Sequence, residues 1–213
     1  MSSPAAAQTT EDEGLWFNAT VQGPVSGDLI YFAELQPRFD EGITSFRQLL
    51  ARTAIGWRLS PDVSLYQGYA YVETARDQAG PLKENRSFQQ LNLNIAELGR
   101  GDLTSRTRLE QRWRKDGDDV GVRLRQQFRY EHPLQERDAP IAALGWVEGF
   151  WNLNSTDWGA ASGFDRVRTF AGLELPLSGA STVEAGYMNQ IVDNPANPTG
   201  VDHIVSISLF LRH

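Results

Sequence analysis

Polar and apolar positions alternate with a period of two across residues 104–131. Arg106, Arg108, Glu110, Arg112 and Arg114 fall on one face of a first segment, and Thr107, Leu109, Gln111 and Trp113 on the other. After a polar bend at 115–119, Arg123, Arg125, Gln127, Arg129 and Glu131 share a face opposite Val122, Leu124, Gln126, Phe128 and Tyr130. A strand turns successive side chains to opposite sides, whereas a helical period of 3.6 would scatter these arginines around its surface. The pattern predicts a β-hairpin with one ionic face and one largely apolar face.

The rest of the chain repeats this pattern. Alternating stretches run over 14–21, 29–39, 46–59, 63–74, 85–98, 141–153, 164–175, 182–192 and 201–212, separated by Gly, Pro, Asn, Asp and Ser clusters that signal turns. Most exceed the five or six residues usual for a soluble strand, and their length suits a tilted bilayer crossing. Tight turns are expected at 60–62, 99–102 and 178–179, with longer loops at 75–84, 154–163 and 193–200. Short turns at one end and long loops at the other are the habit of outer-membrane barrels. The predicted fold is therefore all-β: a single closed antiparallel transmembrane β-barrel over residues 14–213, behind a flexible tail at 1–13. Eleven segments are legible, but bacterial single-chain barrels carry even strand numbers. The expectation is ten to twelve strands, with twelve favoured.

Composition sharpens the question of which face meets water. Only two of the 20 basic residues are lysines, Lys83 and Lys115. Arginine suits enclosed, paired sites because its planar fork meets a carboxylate with two hydrogen bonds. Ionic faces turned into a lumen and apolar faces turned to lipid would explain the bias, with Trp57, Trp113, Phe128, Tyr130, Tyr66 and Tyr187 suggesting interfacial girdles. The absence of cysteine excludes disulfides and thiol chemistry. A net charge of -7 and the lack of a lysine patch argue against nucleic acid as a partner.

The inward positions follow from the alternation. They are Arg52 and Arg58 on the third segment and Glu73 on the fourth. Arg106, Arg108, Glu110 and Arg112 come from the first strand of the arginine hairpin, with Arg123, Arg125, Arg129 and Glu131 from its second. Glu148, Arg166, Arg168, Glu174 and Glu184 complete the set, and Glu34 would join them. Such a lumen is either packed shut by paired charges or a constricted passage favouring small anionic solutes. The expected partner is outer-membrane lipid, or detergent in its place. No metal-ligand spacing, phosphate loop or cofactor motif is present. A lipid-modifying enzyme is the alternative. It would need His132, His203 or His213 beside a serine such as Ser155, Ser162 or Ser206, and none of these lies in a nucleophile elbow. A soluble ligand-binding barrel, apolar inside, shares the same alternation.

Several short strings, in order, carry a family resemblance: Gly14-Leu-Trp16, Glu34-Leu-Gln-Pro-Arg38, Ser105-Arg-Thr-Arg-Leu-Glu-Gln-Arg112, Val122-Arg-Leu-Arg125, Phe164-Asp-Arg-Val-Arg168, Gly186-Tyr-Met-Asn-Gln190 and His203-Ile-Val-Ser-Ile-Ser-Leu. The chain from Gly14 onward resembles the family of predicted outer-membrane β-barrels called domain of unknown function 2490. The resemblance implies placement in a bacterial outer membrane and brings no catalytic residue. The final strand departs from the usual outer-membrane ending, stopping in Phe210-Leu-Arg-His213 rather than on an aromatic residue.

Overall fold

A computed structural model describes residues 9–41, 43–77, 79–136, 140–193 and 199–213. Eleven strands follow one another: β1 (Thr9–Ser26), β2 (Leu29–Asp40), β3 (Ser45–Ser60), β4 (Val63–Arg76), β5 (Ala79–Leu98), β6 (Gly101–Arg114), β7 (Val120–Pro133), β8 (Ala142–Asn152), β9 (Gly163–Pro176), β10 (Thr182–Val192) and β11 (Thr199–Arg212). Each pairs antiparallel with the next, and β1 closes the barrel against β11. No helix occurs among the described residues.

The closure corrects two expectations. The wall has eleven strands rather than twelve, and it is not wholly antiparallel. Strands in a meander alternate in direction, so the first and eleventh run the same way and can meet only in a parallel ladder. That ladder extends from Thr9↔Thr199 to Gln22↔Arg212. The wall also begins at Thr9, inside the stretch read as tail. Glu11, Asp12 and Glu13 pair with Val201, Asp202 and His203, so this acidic run is strand.

The loops at the two ends are less unequal than expected. The polar stretch 75–84 is mostly wall, since β4 continues to Arg76 and β5 starts at Ala79. The connection at 134–141 lies at the same end as the tight turns at Gly27 and Gly99, both glycines in the left-handed region with φ of 54° and 68°.

Burial alternates along the strands as the sequence predicts for most of the wall. On β7, Arg123 and Arg125 are buried while Phe128 is exposed; on β8, Glu148 and Phe150 are buried and Val147 is exposed. Phe17, Leu35, Ile55, Trp57, Leu173 and Val205 are likewise exposed on the outer surface. Apolar exterior and charged interior invert the pattern of a soluble carrier.

Two features depart from a purely ionic lumen and an oily outside. Inside lie two apolar clusters. One comprises Phe32, Ala54, Ala70 and Phe88 with Tyr66 against them; the other comprises Trp16, Leu144, Phe170, Met188 and Ile204. The first reverses the expectation for β4. Gly68, Ala70 and Val72 face inward, and Glu73 points out, 2.6 Å from the Tyr71 hydroxyl and 4.0 Å from Lys83. Gly68 explains the choice of face: any side chain there would collide with the Phe88 ring packed over it. Outside, β4 to β7 carry an amide ladder. Gln111 donates to Gln89 at 3.1 Å, Gln89 to Gln67 at 2.8 Å, and Gln67 to Ser87 at 3.0 Å. Thr107 donates to Gln126 at 2.6 Å, and Gln126 donates to Ser105 at 2.6 Å.

Candidate functional site

The arginine hairpin places its guanidiniums at the centre of the barrel, and glutamates from its own and neighbouring strands meet them. Glu110 accepts from Arg123 at 2.6 Å and from Arg125 at 2.8 Å. Arg125 also donates to Glu148 at 2.8 Å, and Arg106 reaches the same carboxylate at 3.0 Å. Glu84 on β5 holds Arg86 at 2.8 Å and Arg112 at 2.6 Å. Across the lumen, Arg129 on β7 binds Glu184 on β10 at 2.6 Å, Glu174 on β9 at 3.1 Å and Glu131 on its own strand at 2.6 Å. Arg52 pairs with Glu34 at 3.0 Å.

Shared carboxylates make this a network rather than a set of pairs. Glu110 and Arg108 are each only 2 % exposed, so little water reaches them. Charges removed from water at such depth are costly unless their hydrogen bonds are met, and among the described guanidinium nitrogens only Arg106 Nε and Arg108 Nη1 are buried without a partner. Aromatic rings supply the remaining contact. Arg125 and Arg168 lie 4.6 and 4.7 Å from the Phe150 ring centre, and Arg108 lies 4.5 Å from that of Phe88. Lysine offers neither the fork nor the flat face, which accounts for its scarcity.

Three sequence-chosen positions, Glu73, Arg58 and Arg166, stand apart from this network. Glu73 is on the outer surface. Arg58 is exposed at the rim, beside a small cavity of about 150 Å³ shared with Tyr66 and Asn92. Arg166 sits toward the opposite end, paired with Asp165 at 2.5 Å. Sequence reasoning missed Glu84, which fell in the assumed loop, and Arg86, at the start of the segment that follows it. Their signal was the inward series Glu84, Arg86, Phe88, Gln90 and Asn92, at a period of two. It also left Arg38 and Trp16 out of the site.

The interior is not filled evenly. A cavity of about 580 Å³ runs beside Trp16, Arg38, Arg129, Glu148, Arg168 and Glu184, and reaches Ala180 and Arg212 at one end of the barrel. A second, of about 370 Å³, opens toward Asp12, Asp40 and Arg47 at the other. Both are lined by Trp16, Arg38 and Arg168, which therefore stand where the two meet. At the second cavity's end, Trp158 packs over Arg112 and Arg114, with ring-centre distances of 5.1 and 4.8 Å, and its indole N–H donates to the Asp119 carbonyl at 2.8 Å. Asp157 beside it accepts backbone N–H bonds from Asp118 at 2.8 Å and Asp119 at 3.2 Å. These bonds, led by that from Asp118, hold its carboxyl below the usual aspartate range.

The geometry gives no support to a serine–histidine pair. On β11, Ser206 lines the larger cavity while His203 faces outward, 2.5 Å from the Tyr187 hydroxyl. His132 is occupied in the same way by Tyr130, at 3.2 Å. Among the described residues, no cluster of three or more His, Asp or Glu side chains has metal-binding geometry.

A closed eleven-stranded barrel braced from within by arginine and glutamate is the class defined by this fold and interior. The chain belongs to the family described as protein of unknown function DUF2490, whose model matches residues 13–201. It is 48 % identical over 209 residues to an uncharacterized protein of Methylorubrum extorquens, covering 98 % of this chain and 91 % of that one. No solved structure matches.

Proposed function

We propose that the protein is a bacterial outer-membrane β-barrel whose interior forms a narrow passage favouring small anionic solutes. One observation carries the membrane placement: charged side chains are buried inside the wall while Phe17, Leu35, Ile55, Trp57, Phe128 and Val205 are exposed outside it. In water that arrangement would leave apolar area exposed on every side; in a bilayer it is the low-energy one. Strands of 11 to 20 residues are long enough to cross. The self-bonded amides on β4 to β7 are compatible with lipid because most of their polar atoms are met by neighbours on the wall.

The anion preference is supported by the cavities. Seven arginines and five glutamates line the larger one. No side chain of β5 lines either cavity, so solute would travel through the two cavities along β1, β2 and β9 to β11, with β6 to β8 residues forming the facing wall of the larger one. Folded protein is expected to need detergent, to migrate differently before and after boiling, and to give small anion-selective conductance steps in planar bilayers. A protein fully soluble without detergent would refute the membrane placement. Silent bilayers with correctly folded protein would reduce the barrel to a structural element.

A further inference from the structure

Where the two cavities meet, the charge balance of the lumen breaks down. The Arg38 guanidinium carbon lies 3.6 Å from the centre of the Trp16 ring, and that of Arg168 lies 4.8 Å from it. Neither arginine has a carboxylate within 4.0 Å among the described residues, unlike Arg52, Arg106, Arg125 and Arg129 in the same cavity. Their protein partners are neutral amides. Arg38 donates to Gln36 at 2.6 Å and to Gln48 at 2.9 Å; Arg168 donates through Nε to Gln190 at 2.7 Å. The terminal nitrogens of Arg168 donate to no described residue, and the side chain, 8 % exposed, lines both cavities.

Arg168 is buried and Arg38 half-buried, and two such cations side by side without counter-charge are costly unless an anion joins them. The cost is tolerated partly through the rings: Arg168 stacks on Phe150 as well as Trp16. Stacking leaves the edge of a guanidinium free, and that edge is what a carboxylate meets with two parallel hydrogen bonds. Asp12, Asp40 and Asp202 around the adjoining cavity disfavour multiply charged anions on electrostatic grounds.

We propose that Arg38, Trp16 and Arg168 form a binding site for a small carboxylate monoanion at the junction of the two cavities, and that this site sets the selectivity of the passage. Its role in selectivity rests on the passage reading above; the binding site itself does not. Gln190 positions Arg168 and is in turn held by Asp202.

Trp16 makes the site observable. Full-length protein in detergent micelles, titrated with sodium iodide at constant ionic strength, is expected to show a saturable component of tryptophan quenching above the linear collisional quenching of exposed tryptophans. Sodium acetate should compete with it. Trp16→Phe should remove the saturable component, and Arg168→Gln should raise its half-saturation at least tenfold. Arg168→Lys keeps the charge but loses the fork, and should fall between the two. If quenching is wholly linear, or if Arg168→Gln folds normally and binds iodide unchanged, the site is overturned. In planar bilayers the Arg38→Gln/Arg168→Gln variant should lose anion preference in reversal potentials. Saturable quenching without any conductance would refute the passage and leave the site standing. Conductance with unchanged selectivity in the double variant would refute the assigned role of the site.

Discussion

Glu110 shows how tightly single residues are held. It stands among Arg123, Arg125, Arg86 and Arg108 with its side chain only 2 % exposed. Glu110→Gln removes the negative charge that offsets them and is expected to cost about 3–5 kcal/mol, the range for breaking a buried ion pair. Chemical denaturation in micelles, followed by heat-modifiable migration, would measure it; a loss under 1 kcal/mol would mean water enters the network. Gly68 makes a separate prediction. Gly68→Val should strain or block the inner apolar cluster, and Phe88→Ala in the same chain should restore part of the lost stability by opening space. At this scale much was legible. Arg106 to Arg112 and Arg123 to Arg129 declared their common face because charge and period coincide. Glu73 did not, because β4 has a polar face and a small apolar face, and the tie is broken by Phe88 on another strand. No local pattern contains that information.

Strands and their connections respond to their surroundings more than single side chains do. The Gln67, Gln89 and Gln111 ladder is a probe of those surroundings. Gln89→Leu strands the amides on either side. In water they would find new partners at nearly no cost, whereas against lipid each unmet group costs about 1–3 kcal/mol. Unfolding in bilayers should therefore show a clear loss for this variant. The clasp between the 115–119 and 153–162 connections is instead sensitive to acid. Asp157 has a lowered carboxyl pKa in the folded protein, so its contribution is present above the ordinary carboxylate range and is lost as pH falls through the folded value. Hydrogen exchange at Asp118 and Asp119 should speed up on acidification; Asp157→Asn should already exchange faster at neutral pH and lose that dependence. Strand existence was readable from the alternation. Strand ends were not, most plainly at 75–84, where polar residues that suggest a loop in isolation are paired, inward and outward, along β4 and β5.

For the molecule as a whole, strand number was readable from the segments themselves. Counting segments yields eleven, and the preference for an even wall pulled the expectation to twelve. What the alternation could not reveal was that the extra strand is accommodated by a parallel seam between β1 and β11. That seam carries a topographic consequence. In a barrel with an even wall, chain entry and exit share a rim. Here β1 starts at the rim where β11 also starts, and β11 finishes at the opposite one. In the proposed membrane setting, a peptide tag fused ahead of Thr9 and another placed after His213 would lie on opposite sides of the bilayer. Protease added to intact cells should cut one of them and spare its counterpart until the envelope is broken.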